Sequence, residues 1–271
     1  AFGSFNTFKN TISTSTGLLN DHFTLDARLS KISSDGFIDR AFSDLKSFSL
    51  SGGYYSENTI VKANIISGLE KTYQAWQGVP SVRLNDDMEG MQRYEGHWLY
   101  SAEETRHMIN SDSRTYNYYT YENQVDLYQQ DHYQLHLSHK FNRRLNLNTS
   151  LHYTRGKGYY ENYKPDDDLE DYKIPPVTIG DESVESSDIV YRKWLDNHFY
   201  GLTFSMNYQM RKGNFVLGGG WNKYDGDHYG NVIRAKFLGE TDFNHEYYRN
   251  NGTKKDFNIY AKYNYRDTAY Y

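Results

Sequence analysis

The sequence contains no cysteine, so disulfide bridges and thiolate metal sites are excluded. It also has no apolar run near the roughly 20 residues that a transmembrane helix needs. The first ten residues, AFGSFNTFKN, lack the basic stretch and apolar core of a secretion signal. We therefore expect that a signal has been removed or that the chain begins inside a larger protein. The net charge of -5 gives no basic excess, and no nucleic-acid partner is predicted.

Aromatic residues are plentiful. The chain has 28 Tyr, 14 Phe and 4 Trp among 271 residues. Its mean hydropathy is nevertheless -0.89, which means much aromatic surface but few aliphatic residues for a core. Membrane barrels, which combine aromatic girdles with a hydrated interior, have this balance. A soluble all-β protein with tyrosine-rich faces is the alternative that composition leaves open.

Residues 130–160 have the clearest strand pattern. Apolar and polar residues alternate over 133–138 and again over 145–153, with the period of two that is typical of strands with one apolar and one polar face. Only residues 142–144 separate the two runs, which predicts an antiparallel hairpin. Each arm is longer than a usual strand, and a long strand with one apolar face suits a bilayer.

The same alternation predicts further strands and an asymmetry in their connections. Strands are expected at residues 2–15, 22–34, 45–55, 60–76, 199–210, 215–221 and 256–265, with 232–237 as an extended stretch. Short turns are predicted near 17–21, 56–58, 142–144 and 211–214, and long connections at 35–44, 77–131, 161–196 and 225–254. Short turns at one end and long loops at the other are typical of outer-membrane barrels. Within the longest connection, Ser101 and Glu104 form a capping-box pattern that predicts a helix to about Ile109.

Aromatic and basic residues at the end of the 60–76 strand and in the longest connection are the candidates for ligand binding. Rigid rings supply contact area at low entropic cost, and arginine recognises the carboxylates or phosphates of a chelate. The predicted ligand-binding residues are Tyr73, Trp76, Arg93, Tyr94, Trp98, Arg114, Tyr116, Tyr118, Tyr119 and Tyr121. For the tyrosines nearest the strands, a girdle at the membrane boundary and packing between loops are the alternative.

Signals for a metal or for catalysis are weaker. His97, His107, His228 and His245 fall in predicted connections, but none has a His-x-x-x-His spacing. The acidic residues of 166–171 lack the regular spacing and glycine of a calcium loop, and the Asp-Gly-Asp-His sequence at 225–228 is explained by a turn. No metal and no cofactor are predicted. No Ser-His-Asp order, nucleotide loop or paired-carboxylate motif indicates an enzyme.

Long and distinctive segments occur along most of the chain. They are FGSFNTFKNTISTSTGLL, LSKISSDGFIDRAFSDLKSFSLSGGYY, GLEKTYQAWQGVP, RTYNYYTYENQVDLYQQDHYQLHLSHKF, and KWLDNHFYGLTFSMNYQ with LGGGWNKYDGDHYG. These segments resemble the barrel of TonB-dependent outer-membrane receptors of the Bacteroidetes type, from about residue 1 to residue 265. The resemblance implies a 22-stranded barrel that is plugged by an N-terminal domain and imports a scarce nutrient with energy transmitted through TonB.

The expected fold is therefore an all-β, antiparallel transmembrane β-barrel segment, with about ten strands of a larger barrel and long extracellular loops. Residues 1–271 are expected to be the barrel portion, without the plug and the TonB-contacting segment. Two open sheet edges cannot be tolerated in hydrocarbon. The missing strands therefore come from a longer protein, or else the chain closes a small barrel alone.

The resemblance also implies a function and partners. The expected protein is an active transporter in the outer membrane of a Gram-negative bacterium. Its implied partners are a nutrient or metal-chelate ligand, outer-membrane lipid, and the TonB complex through a plug that is not in this chain. The cargo stays open among ferric siderophore, haem, cobalamin and glycan, so iron uptake is one expectation. The alternative is a passive porin or surface-binding barrel without energy coupling.

Overall fold

A computed structural model describes residues 1–95 and 100–266 and contains a ten-stranded antiparallel sheet. The strands in chain order are β1 (Phe2–Gly3), β2 (Thr7–Ser15), β3 (Phe23–Ser34), β4 (Ser43–Tyr55), β5 (Thr59–Tyr73), β6 (Val125–Lys140), β7 (Leu145–Asp168), β8 (Val177–Ile179), β9 (Glu182–Val184), β10 (Ser186–Met210), β11 (Gly213–Ala235) and β12 (His245–Tyr265). Strands β8 and β9 form a separate small hairpin, and each of the other ten pairs with its neighbours in chain order.

Three short helices lie in the connection between β5 and β6. They are α1 (Ser81–Leu84), α2 (Met88–Gln92) and α3 (Ala102–Asn110). A single 3-10 turn, Leu169–Tyr172, follows β7. Within the two described ranges, no helix is both long enough and apolar enough to cross a membrane.

The sheet has one apolar and one polar face. Along one row, Leu135 lies opposite Leu151, and the row continues through Leu202 to Trp221. All four side chains are between 37% and 50% exposed. The soluble alternative requires a second sheet or a helix layer over this face. Among the residues that the structure describes, no such layer is present. The apolar face is therefore exposed to the surroundings of the sheet.

The polar face carries a ladder of hydrogen bonds between strands. The amide of Asn64 donates to Gln134 Oε1 at 3.3 Å, and His136 Nδ1 lies 2.8 Å from Ser150 Oγ. His152 Nε2 lies 2.9 Å from Asn222 Oδ1 in the same way. The Asn, Gln, Ser and His residues at alternate positions thus satisfy one another across the strands.

The strands continue far beyond the apolar part of the sheet. On β7 the apolar-face residues from Leu145 to Leu151 end at Tyr153, whose ring stacks on Tyr133 at 5.9 Å. Positions 145 to 153 are nine residues, close to the 9–11 or so that a tilted membrane strand needs. Strand β7, however, has 24 residues and β10 has 25. More than half of each strand therefore lies outside the apolar band.

The predicted connections 161–196 and 225–254 are consequently wrong. Strand β7 runs to Asp168, β10 begins at Ser186, β11 runs to Ala235 and β12 begins at His245. The alternation ends because positions on the apolar face of the sheet, here called outward, become charged beyond the apolar band. Lys157 and Asp196 are examples, and their side chains form an ion pair of 3.1 Å. The backbone pairing continues there all the same. The connection predicted at 77–131 ends earlier than expected, because β6 begins at Val125.

The end of the apolar band moves along the sheet. In β3 and β4 the first outward charges are Lys31 and Lys46, which lie opposite each other. In β11 and β12 they are Lys223 and Lys255. Strand pairing across the sheet places these two residues in the same row as Ala27 of β3, which is four residues closer than Lys31 to the end of the sheet with the short turns. A stagger of this kind is what strands inclined to a common axis produce in a closed barrel.

Connections at the two ends of the strands differ in length, as predicted. Residues 56–58, 141–144 and 211–212 join strands at one end, which we call the short-turn end. At the opposite, long-loop end, residues 74–124 join β5 to β6, and residues 169–185 join β7 to β10. The second of these loops folds back over the polar face, since Leu169, Tyr172 and Ile174 pack on Tyr191 and Tyr247.

Candidate functional site

The connection of residues 74–124, here called the β5–β6 loop, is a packed unit. Met91, Met108 and Tyr116 form its core, and all three are at most 1% exposed. The half-buried residues around this core are Val79, Val82, Tyr94, Tyr100, Ile109 and Tyr118. A loop with its own apolar core holds a fixed shape, so side chains at its surface have fixed positions.

Helix α3 begins at the predicted capping box. Ser101 Oγ accepts a hydrogen bond from the Glu104 backbone N–H at 3.2 Å, and the Glu104 carboxylate accepts one from the Ser101 N–H at 2.7 Å. These two bonds satisfy backbone donors that have no partner inside the helix. The prediction of a short helix starting here is confirmed, and the helix ends at Asn110.

The β5–β6 loop is anchored to β7 by a buried carboxylate. Glu161 is 1% exposed and accepts hydrogen bonds from Tyr121 Oη (2.9 Å), Asn123 Nδ2 (2.6 Å) and Arg192 Nε (2.8 Å). Gln124 adds a contact, because its Oε1 accepts the backbone N–H of Tyr163 at 3.0 Å. The buried charge is thus paired and fully hydrogen-bonded, as burial of an ion requires.

Two of the predicted ligand-binding tyrosines are inside this unit. Tyr73 is the last residue of β5 and is 5% exposed, and its hydroxyl donates to the carbonyls of Tyr119 (3.1 Å) and Tyr121 (2.8 Å). Tyr116 is 1% exposed. Burial raises the pKa of both phenols above the ordinary value. Tyr73 ties the loop to the end of β5, which agrees with the packing alternative for the tyrosines nearest the strands, and Tyr116 fills the loop core.

The predicted arginines lie on the outer surface of the loop. Arg93 forms an ion pair with Glu89 one helical turn away, and the backbone N–H of Arg114 donates to Asp112 Oδ1 at 2.8 Å. Tyr94 packs edge-on against Tyr100, with 5.2 Å between ring centroids. Trp98, like His97, lies outside the described residues.

Tyr118, Tyr119 and Tyr121 line a cleft of about 410 Å³ between α3 and the upper end of β7. Other lining residues are Glu103, Glu104, His107, Asn162 and Lys164. The Tyr118 hydroxyl donates to Glu104 Oε1 at 2.5 Å, and burial with this carboxylate raises its pKa above the ordinary value. Burial and Glu161 raise the pKa of Tyr121 to about 12. Both hydroxyls therefore stay protonated donors at neutral pH.

A second group of aromatic residues faces the polar side of the sheet at the long-loop end. Trp76 is 55% exposed and packs edge-on against Tyr160 (5.3 Å between centroids) and Tyr119 (6.3 Å). Tyr160 lies opposite Asp126 on the neighbouring strand β6. We call Trp76, Tyr119, Tyr128, Tyr160, Glu70 and Asp126 the inner-wall cluster.

Four members of the inner-wall cluster were not predicted from the sequence: Glu70, Asp126, Tyr128 and Tyr160. A signal was nevertheless present, since Asp126 and Tyr128 continue the parity of Gln134 and His136 on the polar side of β6. The predicted connection 77–131 removed both residues from that strand. Without the extended strand, their common face could not be recognised.

The candidate metal ligands do not come together. His107 Nε2 lies 2.9 Å from the Asn117 carbonyl, and His245 Nε2 lies 3.0 Å from the Tyr172 carbonyl. His228 lies within β11, so the prediction of a turn at residues 225–228 is wrong. Asp166, Asp167 and Asp168 end β7 rather than lying in a loop. Over residues 1–95 and 100–266, no group of three or more His, Asp or Glu side chains is arranged to hold a metal ion.

The two-faced sheet and the asymmetric connections define the class: this is an antiparallel transmembrane β-barrel segment with long loops at one end. No known family model and no curated protein matches the sequence. Among solved structures, the chain is similar to the closed form of the ferric-catecholate import receptor Fiu from E. coli K12, with 14% identity and a TM-score of 0.65. The match covers 97% of this chain and 37% of Fiu.

The chain is also similar to the RagAB peptide transporter, with 15% identity and a TM-score of 0.59 over 96% of this chain and 30% of that chain. The open form of Fiu gives 12% identity and a TM-score of 0.58. The chain therefore spans between 30% and 40% of the length of the structures that it matches. At these identities the likeness establishes the fold and leaves the cargo open.

Proposed function

We propose that this chain is part of the barrel wall of an outer-membrane receptor that imports a nutrient into a Gram-negative bacterium. The observation that carries the proposal is the extension of β7, β10 and β11 beyond the apolar band, where they support loops over the polar face. The long-loop end would be extracellular and the short-turn end periplasmic. Strands of this kind raise a binding site above the membrane surface.

The nutrient would bind at the mouth of the barrel. The exposed ring of Trp76 and the cleft beside Tyr118 and Tyr121 are open to solvent and offer aromatic surface with hydrogen-bonding groups. The neighbours of known structure are named for the import of a ferric catecholate and of peptides. Ferric siderophore, haem, cobalamin, glycan and peptide are therefore the cargo classes to be tested.

We propose further that import uses energy from TonB through a plug domain, as the family resemblance of the sequence implies. Receptors of 22 strands have plugged lumens, and ten strands would be slightly under half of such a wall. Assignment to the Bacteroidetes type rests on the same resemblance. These statements concern the whole protein, of which the present residues would be one part.

The test combines ligand identification with genetics. The full-length protein is purified from outer membranes, and the small molecules that copurify are identified by mass spectrometry. Uptake of the identified compound is then measured in cells with and without the receptor, and with and without TonB. We expect uptake to need both. Uptake that needs the receptor but not TonB would indicate a passive barrel, and unchanged uptake without the receptor would overturn the proposal.

A further inference from the structure

We infer that the inner-wall cluster selects cargo that carries an organic cation, an ammonium or a guanidinium group. The inference rests on the proposed function and names the class of cargo. Its basis is the juxtaposition of two carboxylates with an aromatic ring that lies flat against the wall, together with the positions of the neighbouring basic side chains.

The two carboxylates are diagonal neighbours on one face of the sheet. Glu70 on β5 lies opposite Tyr128 on β6, and Asp126 is two residues from Tyr128 on that strand. Diagonal residues on one face lie about 7–8 Å apart. Burial first, and then the charge of Glu70, raises the pKa of Asp126 above the ordinary value. A cation placed between the two carboxylates would relieve the repulsion between their negative charges.

Tyr128 supplies a ring face beside the carboxylates. Its ring lies across the glycines of β7, because a Cβ atom on Gly158 would be 2.6 Å from Tyr128 Cδ2, and one on Gly156 would be 3.0 Å from Tyr128 Cζ. Asn197 Nδ2 fixes the ring by donating to the Tyr128 hydroxyl at 3.1 Å. A ring held flat on a wall presents its electron-rich face, which attracts ammonium and guanidinium groups.

No basic side chain neutralises the two carboxylates within the described parts of the chain, where neither Glu70 nor Asp126 forms an ion pair. The nearest cation on the same row is Lys193, which lies opposite Tyr160 on the far side from Asp126. Its Nζ atom is placed 5.6 Å over the Tyr191 ring. An anionic chelate would therefore meet uncompensated negative charge at this part of the mouth.

The experiment compares two probes that differ in charge but hardly in shape. The first is a short, capped glycine peptide with one arginine, and the second replaces the arginine by citrulline, its neutral isostere. Binding of each probe to the purified full-length protein is measured by titration calorimetry. One charge-assisted contact predicts that the arginine peptide binds roughly tenfold to a hundredfold tighter.

Two variants test the assignment to these residues. Glu70→Gln combined with Asp126→Asn keeps side-chain size and should reduce the ratio of the two affinities to about one. Tyr128→Leu removes the ring and should reduce the ratio in part. The control, Glu57→Gln, removes one carboxylate in the turn at the other end of β5 and should leave the ratio unchanged. Correct assembly of each variant is checked by its heat-modifiable mobility on gels.

Three results would overturn the inference: equal affinity for the two peptides, no binding of either, or an unchanged ratio in the double variant. These results are distinct from failure of the proposed function. A receptor with TonB-dependent uptake of a neutral or anionic compound would keep its function but contradict the cationic selectivity. Absence of receptor-dependent uptake would contradict the function itself.

Discussion

Replacing one residue on each face of β7 tests which face meets lipid. Leu151 lies on the apolar face and is 50% exposed, and it is two residues from Thr149, the centre of the nine positions 145–153. Two residues of a strand inclined near 45° correspond to about 5 Å of depth. The apolar band is about 25 Å tall, so Leu151 lies closer to the midplane of the band than to either of its edges.

We expect Leu151→Arg to destabilise the membrane-inserted protein by about 2 kcal/mol, since arginine costs about 2–4 kcal/mol at the midplane and less towards the interfaces. His152→Arg puts the same side chain on the polar face, next to Asn222. That variant loses one hydrogen bond, which is worth about 1 kcal/mol or less when the group stays hydrated.

The measurement is urea unfolding of each full-length variant in lipid vesicles, followed by the mobility of folded and unfolded forms on gels. The order of the two variants decides the result. If His152→Arg were the more damaging, or if both had equal effects, then the assignment of the apolar face to lipid would be refuted.

Three further predictions concern the β5–β6 loop. Glu161→Ala removes the partner of Arg192, whose side chain is 29% exposed and can be partly hydrated. We expect the local stability of the loop to fall by about 2 kcal/mol, seen as roughly 30-fold faster amide exchange in residues 116–125 by mass spectrometry. Unchanged exchange, or an equal effect of the exposed-residue control Glu122→Ala, would contradict this. Ser101→Ala should cost about 1 kcal/mol and speed exchange in α3 but not in β6. The folded-state pKa of Tyr121 is raised to about 12, above the ordinary value near 10, so loop docking should be constant below pH 10 and weaken as pH rises towards 12. Proteolytic sensitivity measures this. Tyr121→Phe should reduce the pH dependence, and the part that stays comes from Tyr73, Tyr116 and Tyr118, whose pKa values are raised as well.

The strands within the apolar band could be predicted because each of their residues faces one of two very different environments. Residues 45–55 and 199–210 alternate for this reason, and the structure has strands at Ser43–Tyr55 and Ser186–Met210. The first boundary was predicted to within two residues. The second was missed at its upper end, because beyond the band apolar residues such as Ile189 and Val190 occur at consecutive positions of β10, and the period of two disappears.

The candidate site, like the strands, could be predicted from the sequence only in part. Residue type made the aromatic β5–β6 loop a candidate for ligand binding, which stays a prediction, and the capping box located α3 correctly. Residue type could not distinguish Tyr116, which fills the loop core, from Trp76, which is half-exposed. That distinction depends on contacts between residues far apart in the chain, such as Tyr121 with Glu161.

The sequence by itself determined the two-faced strands and the alternation of short and long connections, because side-chain parity and turn residues are local properties. Only the tertiary structure decided how far β7, β10 and β11 extend and which residues share the inner wall. Glu70, Asp126 and Tyr128 come together through the register of β5 and β6, and the ring of Tyr128 lies flat because Gly156 and Gly158 are opposite it on β7. Register is fixed by pairing across strands, and no single stretch of the chain contains that information.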